Sequence, residues 1–296
     1  MIEMSHSKLV KKLCLGTAQF GLNYGIANRF GQVSFEEVKT IIETASANGI
    51  NTIDTANAYG DSEVYLGNVG VKSMRVVTKL LEAPSTENVT SWVKDQVFRS
   101  LSRLGLNSIY GLLLHCPSQL DESIGNDLFR AIMKLKENGT VKKIGISIYS
   151  PDELAKFVDR FEFDLVQAPF NLVDRRIQTS GWLSRLKDRG IEIHTRSTFL
   201  QGLLLMPLAR IPAKFSPWSD LFESWHQWTD NGKKSAIGTC LAYPLHFPEI
   251  DRVIVGVDSL KQFTEIISLA NQDFEPLTFM QCNDEKLINL INWKLL

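Results

Sequence analysis

Residues 143–168, KIGISIYSPDELAKFVDRFEFDLVQA, set the terms on which the rest of the chain is read. An apolar run at 143–147 stops at Ser147. Ser150-Pro151-Asp152-Glu153 then opens a helix, with serine as cap and proline in the first turn. A second apolar run follows at 165–168. Strand, helix and strand in so short a span make a βαβ unit, which pairs the strands in parallel and lays the helix across one face.

The same alternation extends in both directions. Strand-like runs fall at 13–17, 52–54, 76–79, 108–115, 143–147, 165–168, 191–196 and 252–255, eight in all. Between them, residues 34–48 repeat apolar side chains at helical spacing through Val38, Ile41, Ile42 and Ala45, and Ser34 with Glu37 predicts a capping box. Residues 87–104 do the same through Val93, Val97, Leu101 and Leu104, and residues 126–138 stop at Asn138-Gly139. Lys187–Gly190 ends another helix, and Ser259 is placed to cap the one that holds Phe263 and Ile266. Strict alternation over eight units predicts an α/β fold, a (β/α)8 TIM barrel with its active site at the C-terminal ends of the strands. The rival is an open doubly wound sheet. It calls for a GxGxxG turn after the first strand, and Gly16-Thr17-Ala18-Gln19-Phe20-Gly21 does not supply one. With no linker or low-complexity segment, residues 1–296 read as a single barrel domain. The irregular stretch 206–219, with three prolines, reads as a loop insertion after the seventh strand.

Composition narrows the function classes. With 32 basic and 33 acidic residues the formal net charge is −1, which offers no electrostatic case for nucleic acid or an anionic membrane. Cys14, Cys116, Cys240 and Cys282 are scattered, without metal-ligand spacing, so no metal site is expected. The opening MIEMSHSKLVKKLCLG lacks a long apolar core, and no run approaches a membrane span. A cytoplasmic protein is the expectation. No oligomerisation signal stands out, so the default is a monomer.

In a βα barrel the polar residues that end the strands are the candidates for chemistry. Asp54 ends the second strand and is followed by Tyr59; Lys79 ends the third; His115 ends the fourth. A phenol titrates near pH 10, too high for efficient proton donation at neutral pH, and a neighbouring ammonium would lower it. The expectation is therefore that Lys79 depresses Tyr59, that Asp54 aims Lys79, and that His115 orients a substrate carbonyl. Singly, each of these residues is commonly structural; their arrival together at one rim points to acid–base work.

The run Ile53-Asp54-Thr55-Ala56-Asn57-Ala58-Tyr59-Gly60-Asp61-Ser62-Glu63 resembles the IDTAxxYGxSE signature of the aldo-keto reductases, and Val77-Thr78-Lys79 and Leu113-Leu114-His115 resemble further blocks in the same order. The likeness covers nearly the whole chain. It implies an NAD(P)H-dependent carbonyl reductase whose catalytic tetrad is Asp54, Tyr59, Lys79 and His115, with Tyr59 as the acid. It implies that Ser147 and Gln167 hold the nicotinamide carboxamide and that Leu200, Gln201 and Gly202 cover the pyrophosphate. Gly16, Thr17 and Ser197 join the cofactor set, and 256–265, with Gly256, Asp258, Gln262 and Glu265, grips the adenosine end. The partner implied is a small-molecule aldehyde or ketone.

This sequence departs from the pattern at three places. Ile148, not asparagine, follows Ser147. Arg196 stands where an aromatic residue often stacks on the nicotinamide, so its guanidinium either stacks there or turns to a substrate carboxylate or phosphate. The 256–265 segment carries Asp258 and no basic residue but Lys261, which weakens the family default of NADP(H) and leaves NAD(H) open. The blocks GTAQFGLNYGIAN (16–28) and RSTFLQGLLL (196–205) resemble a bacterial subgroup associated with sugars, which suggests a sugar or nucleotide-sugar carbonyl. Two rivals are a cofactor-binding regulatory subunit of the same fold and a lyase that uses Lys79 as a Schiff-base amine. Trp218, Phe222, Trp225 and Trp228 read as a packing stripe rather than a substrate mouth, and Lys11-Lys12 as a solvated turn.

Overall fold

The computed structural model describes residues 8–84, 88–232 and 234–294. The first seven residues of the opening segment, read above for a targeting sequence, lie outside the described residues. Eight parallel strands form a closed ring: β1 Leu13–Gly16, β2 Thr52–Asp54, β3 Arg75–Leu80, β4 Ile109–Leu114, β5 Val141–Ser147, β6 Leu165–Pro169, β7 Glu192–Arg196 and β8 Arg252–Gly256. They pair in chain order and β8 closes on β1, with Leu15 beside Val255. The ring decides between barrel and open sheet. All eight strands lie where the apolar runs predicted them; the largest shift is in β5, which starts at Val141 rather than 143.

Side chains alternate along each strand, so one set faces the helices and the other fills the ring. Val77, Leu113 and Leu165 make a small cluster of their own inside the ring, and the larger core lies between the strands and the helices. Two residues beyond Val77, on the same face, β3 presents Lys79, so the polar rim begins where the apolar filling ends. At the opposite end Glu192 gathers the floor. It accepts from Tyr110 Oη (2.8 Å), pairs with Lys143 and lies 2.7 Å from His194 Nε2.

The helices follow their capping signals, with one exchange of partners. Phe35–Ala47 is capped by Ser34, which accepts from Glu37 N. Glu37, predicted to complete a capping box, instead accepts from Leu260 N (2.9 Å) and so caps the helix Leu260–Leu269. An orphan N–H of a neighbouring helix is a competing donor that local spacing does not reveal. The full box occurs at Ser150 and Glu153, before the helix Pro151–Phe157. Lys12, expected in solvent, donates to Leu245 O and Phe247 O, carbonyls at the end of the helix Ala236–Leu245. The tryptophan stripe packs: Trp225 is buried, stacks on Trp228 and donates to Leu204 O. The 206–219 stretch winds into short 3-10 turns at Leu208–Arg210 and Ala213–Trp218. Among the described residues no helix is long and apolar enough to cross a membrane.

Candidate active site

Strand ends β2, β3 and β4 bring the four acid–base candidates together. Lys79 is almost fully buried, at 1% exposed, and donates to Asp54 Oδ2 (2.6 Å), to Thr55 O (3.0 Å) and to Tyr59 Oη (3.4 Å). The Tyr59 and His115 rings meet edge to face with centroids 6.5 Å apart. Burial opposes the charge of Lys79, yet Asp54 and Tyr59 hold it above the ordinary ammonium range, so it is a cation at neutral pH. Burial also pushes the Tyr59 phenol above its usual value, and Lys79 pulls it back only in part. That corrects the expected direction: desolvation of the ring exceeds the help of one ammonium at 3.4 Å. Tyr59 is therefore protonated at neutral pH. His115 is lowered to about 4 by burial, with Lys79 and Arg196 adding to the effect, so its imidazole is neutral at pH 7.

The surroundings fix these groups. Thr17 Oγ1 donates to Asp54 O (2.9 Å) and accepts from Ser62 Oγ (2.8 Å), which ties the end of β1 to the β2 loop. Gly21 lies against the turn that carries Tyr59; a Cβ there would sit 1.7 Å from Tyr59 O, so only glycine permits the approach. Behind β3 the buried carboxylate of Glu63 accepts from Thr78 Oγ1 (2.8 Å) and Ser100 Oγ (3.1 Å) and pairs with Arg103 at 3.0 Å.

A cavity of about 500 Å³ opens over this centre, running from Asp54 and Tyr59 to Asp258, Gln262 and Glu265. Gly16, Thr17, Arg196, Ser197, Gln201, Gly202 and Gly256 line it as well, so most of the expected cofactor residues meet in one space. Lys79, His115, Ser147, Gln167 and Leu200 are not among its lining. Lys79 lies below Tyr59, and Leu200 packs its side chain into the core, leaving only its backbone for a ligand. Ser147 and Gln167 form a polar layer beneath: Ser147 Oγ donates to Gln167 Oε1 (3.1 Å) and Gln167 Nε2 to Asp54 Oδ1 (2.6 Å). Gln167 thus braces the carboxylate that aims Lys79, a contact that strand-by-strand reading missed.

At the far end, Asp258 N donates to Gln262 Oε1 (2.8 Å), while Asp258 Oδ1 is buried without a hydrogen-bond partner. Burial raises the Asp258 carboxyl above its ordinary value. Asp258 also lines the cavity, and buried acceptors are rarely left unpaired, so this carboxylate is a candidate to meet a donor such as a hydroxyl. Lys261, the one basic candidate nearby in sequence, does not line the cavity; Arg29 and Arg210, from the loops after β1 and β7, do. No local pattern flagged these two arginines, because only the fold brings their loops over the same space. The loop after β7 is strained, with positive φ at Ser197 (65°), Leu200 (50°) and Gln201 (54°), a feature that gathers at binding sites. Arg196 Nη2 donates to Ile148 O (2.9 Å), Nη1 to Ser197 Oγ (3.3 Å), and its guanidinium carbon lies 4.3 Å from the centre of the Tyr149 ring. Tyr149 was not singled out in the sequence.

A sequence model of the Aldo/keto reductase family matches residues 12–284. The chain is 26% identical over 256 residues to an uncharacterized oxidoreductase of Bacillus subtilis, covering 78% of this chain and 81% of that protein. It is 26% identical over 200 residues to the NADH-specific methylglyoxal reductase of Escherichia coli, covering 58% of this chain and 59% of the reductase. Its match to the glyoxal reductase of B. subtilis is 28% identical over 185 residues, 59% of this chain and 61% of that one. An aldo-keto reductase from Bacillus halodurans in its holo form has the same fold, with a TM-score of 0.73 over 90% of this chain and 88% of that one at 21% identity.

Proposed function

The chain belongs to the aldo-keto reductase family and is an NAD(P)H-dependent oxidoreductase, and we propose that it reduces an aldehyde or ketone with Tyr59 as the proton donor and Asp258 selecting NADH. The observation that carries this reading is the buried Asp54–Lys79–Tyr59 hydrogen-bond chain at the inner end of a cavity long enough to reach Asp258 and Gln262. The residues present suit a dinucleotide. Arg29 and Arg210 offer positive charge for a diphosphate, and the Asp258 carboxylate, which lines the same cavity, suits a ribose hydroxyl while repelling a 2′-phosphate. Ser147 and Gln167, which the resemblance assigns to the carboxamide, lie in the layer beneath the cavity, so they reach it only if their bonds to each other and to Asp54 rearrange when the cofactor binds.

When bound, the nicotinamide supplies the hydride. The remaining work falls to the chain. Neutral His115 donates its N–H to the carbonyl oxygen and orients it. Tyr59 Oη gives its proton to that oxygen as negative charge builds there. Lys79, 3.4 Å away, stabilises the phenolate left behind, and Asp54 keeps Lys79 charged and aimed. The burial that raises Tyr59 in the free protein keeps it protonated until the oxygen is basic enough to take the proton.

For the substrate, the 16–28 and 196–205 blocks support a sugar or nucleotide-sugar carbonyl, whereas two relatives are named for methylglyoxal and glyoxal. Turnover across sugars, dicarbonyls and hydrophobic aldehydes separates these; a preference for hydrophobic aldehydes alone removes the sugar reading. Fluorescence titration with NADH and NADPH tests the cofactor assignment. Tighter binding of NADH is expected, with Asp258→Arg shifting preference toward NADPH. Tight NADPH binding with little NADH binding contradicts the role given to Asp258, and binding of neither contradicts the reductase reading.

A further inference from the structure

At the Tyr59 end of the cavity Arg196 is a cation without an anion. The groups around its guanidinium are neutral: the Ile148 carbonyl, the Ser197 hydroxyl and the Tyr149 ring. Among the described residues no carboxylate pairs with it. Half-buried charges are ordinarily matched by a counter-charge or a ligand. The local balance is uneven as well. Asp54 offsets Lys79 at 2.6 Å, His115 is neutral at pH 7, and Arg196 leaves the centre one positive charge in excess.

This inference rests on the reductase reading above. Hydride and proton must reach the two atoms of a single C=O bond, so the reacting ring has to stand beside the substrate that Tyr59 protonates. That is the end of the cavity which Arg196 lines. A reduced nicotinamide ring is neutral, and its oxidised form is a cation. A guanidinium accepts a neutral planar ring against its face and repels a cationic one. We propose that Arg196 makes the site select its cofactor by oxidation state, so that the reduced dinucleotide binds more tightly than the oxidised one and occupies the protein when both are present. The overall equilibrium of the reaction is untouched; product cofactor leaves more readily, and reduction is the direction that runs without inhibition. Two unit charges a ring's width apart in a partly screened site imply a discrimination of about tenfold to a hundredfold in affinity.

The test is a set of dissociation constants on the full chain, for whichever of NADH and NADPH binds more tightly and for its oxidised form. The wild-type protein should favour the reduced form by about tenfold or more, which raises the potential of the bound couple by roughly 30 mV per tenfold. Arg196→Gln should erase most of that ratio, chiefly by tightening the oxidised form, and Arg196→Lys should keep most of it. A wild-type ratio near one overturns the inference, and so do glutamine and lysine variants that shift alike, since shape rather than charge would then be responsible. The wild-type ratio needs no variant, so a glutamine protein that fails to fold leaves the inference refutable. A wild-type chain that binds neither form speaks against the reductase reading instead.

Discussion

Lys79 shows at the scale of one side chain how this site is held. A buried ammonium is tolerated because it has an anion at 2.6 Å and two oxygen acceptors besides, and its charge in turn offsets part of the rise that burial imposes on the Tyr59 phenol. His115 sits in the same field with the opposite outcome. Folded, it titrates at about 4 against 6.5 for the free side chain, because burial and two nearby cations disfavour the imidazolium. Above pH 6.5 it is neutral in both states and adds no pH dependence. Between 6.5 and 4 the unfolded chain takes up a proton that the folded chain refuses, so stability falls with pH across that window. The loss attributable to His115 is up to about 3 kcal/mol. Denaturant unfolding from pH 7 to pH 4 should show a slope that His115→Gln reduces; identical slopes in the two proteins would remove this account of His115. That Asp54, Tyr59, Lys79 and His115 would meet at one rim was legible in the sequence because each ends an apolar run or follows one closely. Arg29, Arg210 and Tyr149 were not, since their importance lies in which loop the fold sets beside which.

At the scale of the elements, the loops after β1 and β7 close over the cavity together. Gln201 Nε2 donates to Tyr24 Oη (3.3 Å), and a Cβ on Gly202 would stand 2.5 Å from that of Ala27. Gly202 also holds φ at 89°, a conformation that other L-residues rarely adopt. Gly202→Ala should therefore push the two loops apart at a cost of about 1–3 kcal/mol, felt mainly as weaker cofactor binding. Titration with NADH should show the affinity falling on the order of tenfold; unchanged affinity would mean that the loops do not act as one cover. Helix positions were legible wherever cap and period coincide, as at Ser150 and Ser259. The partner of Glu37 was not, because its donor, Leu260 N, lies 223 residues away in sequence.

Over the whole molecule the barrel separates stability from chemistry. The floor gathers Glu192 with Tyr110, Lys143 and His194, where those neighbours outweigh burial and hold the Glu192 carboxyl well below the usual carboxylate range. The rim carries the acid–base centre and the long cavity. Regular βα alternation made this architecture readable from the sequence, since parallel strands with helical crossovers leave few ways to close. The substrate stays unread because it is set by the shape of rim loops, for which no period or cap provides a rule. The central claim, that Tyr59 gives the proton, is met most directly by single-turnover reduction of methylglyoxal by the NADH-loaded protein, comparing wild type with Tyr59→Phe. Loss of the phenol hydroxyl should leave NADH binding in place and slow the disappearance of NADH by about a hundredfold to ten-thousandfold; a Tyr59→Phe protein that consumes NADH at the wild-type rate would contradict the mechanism.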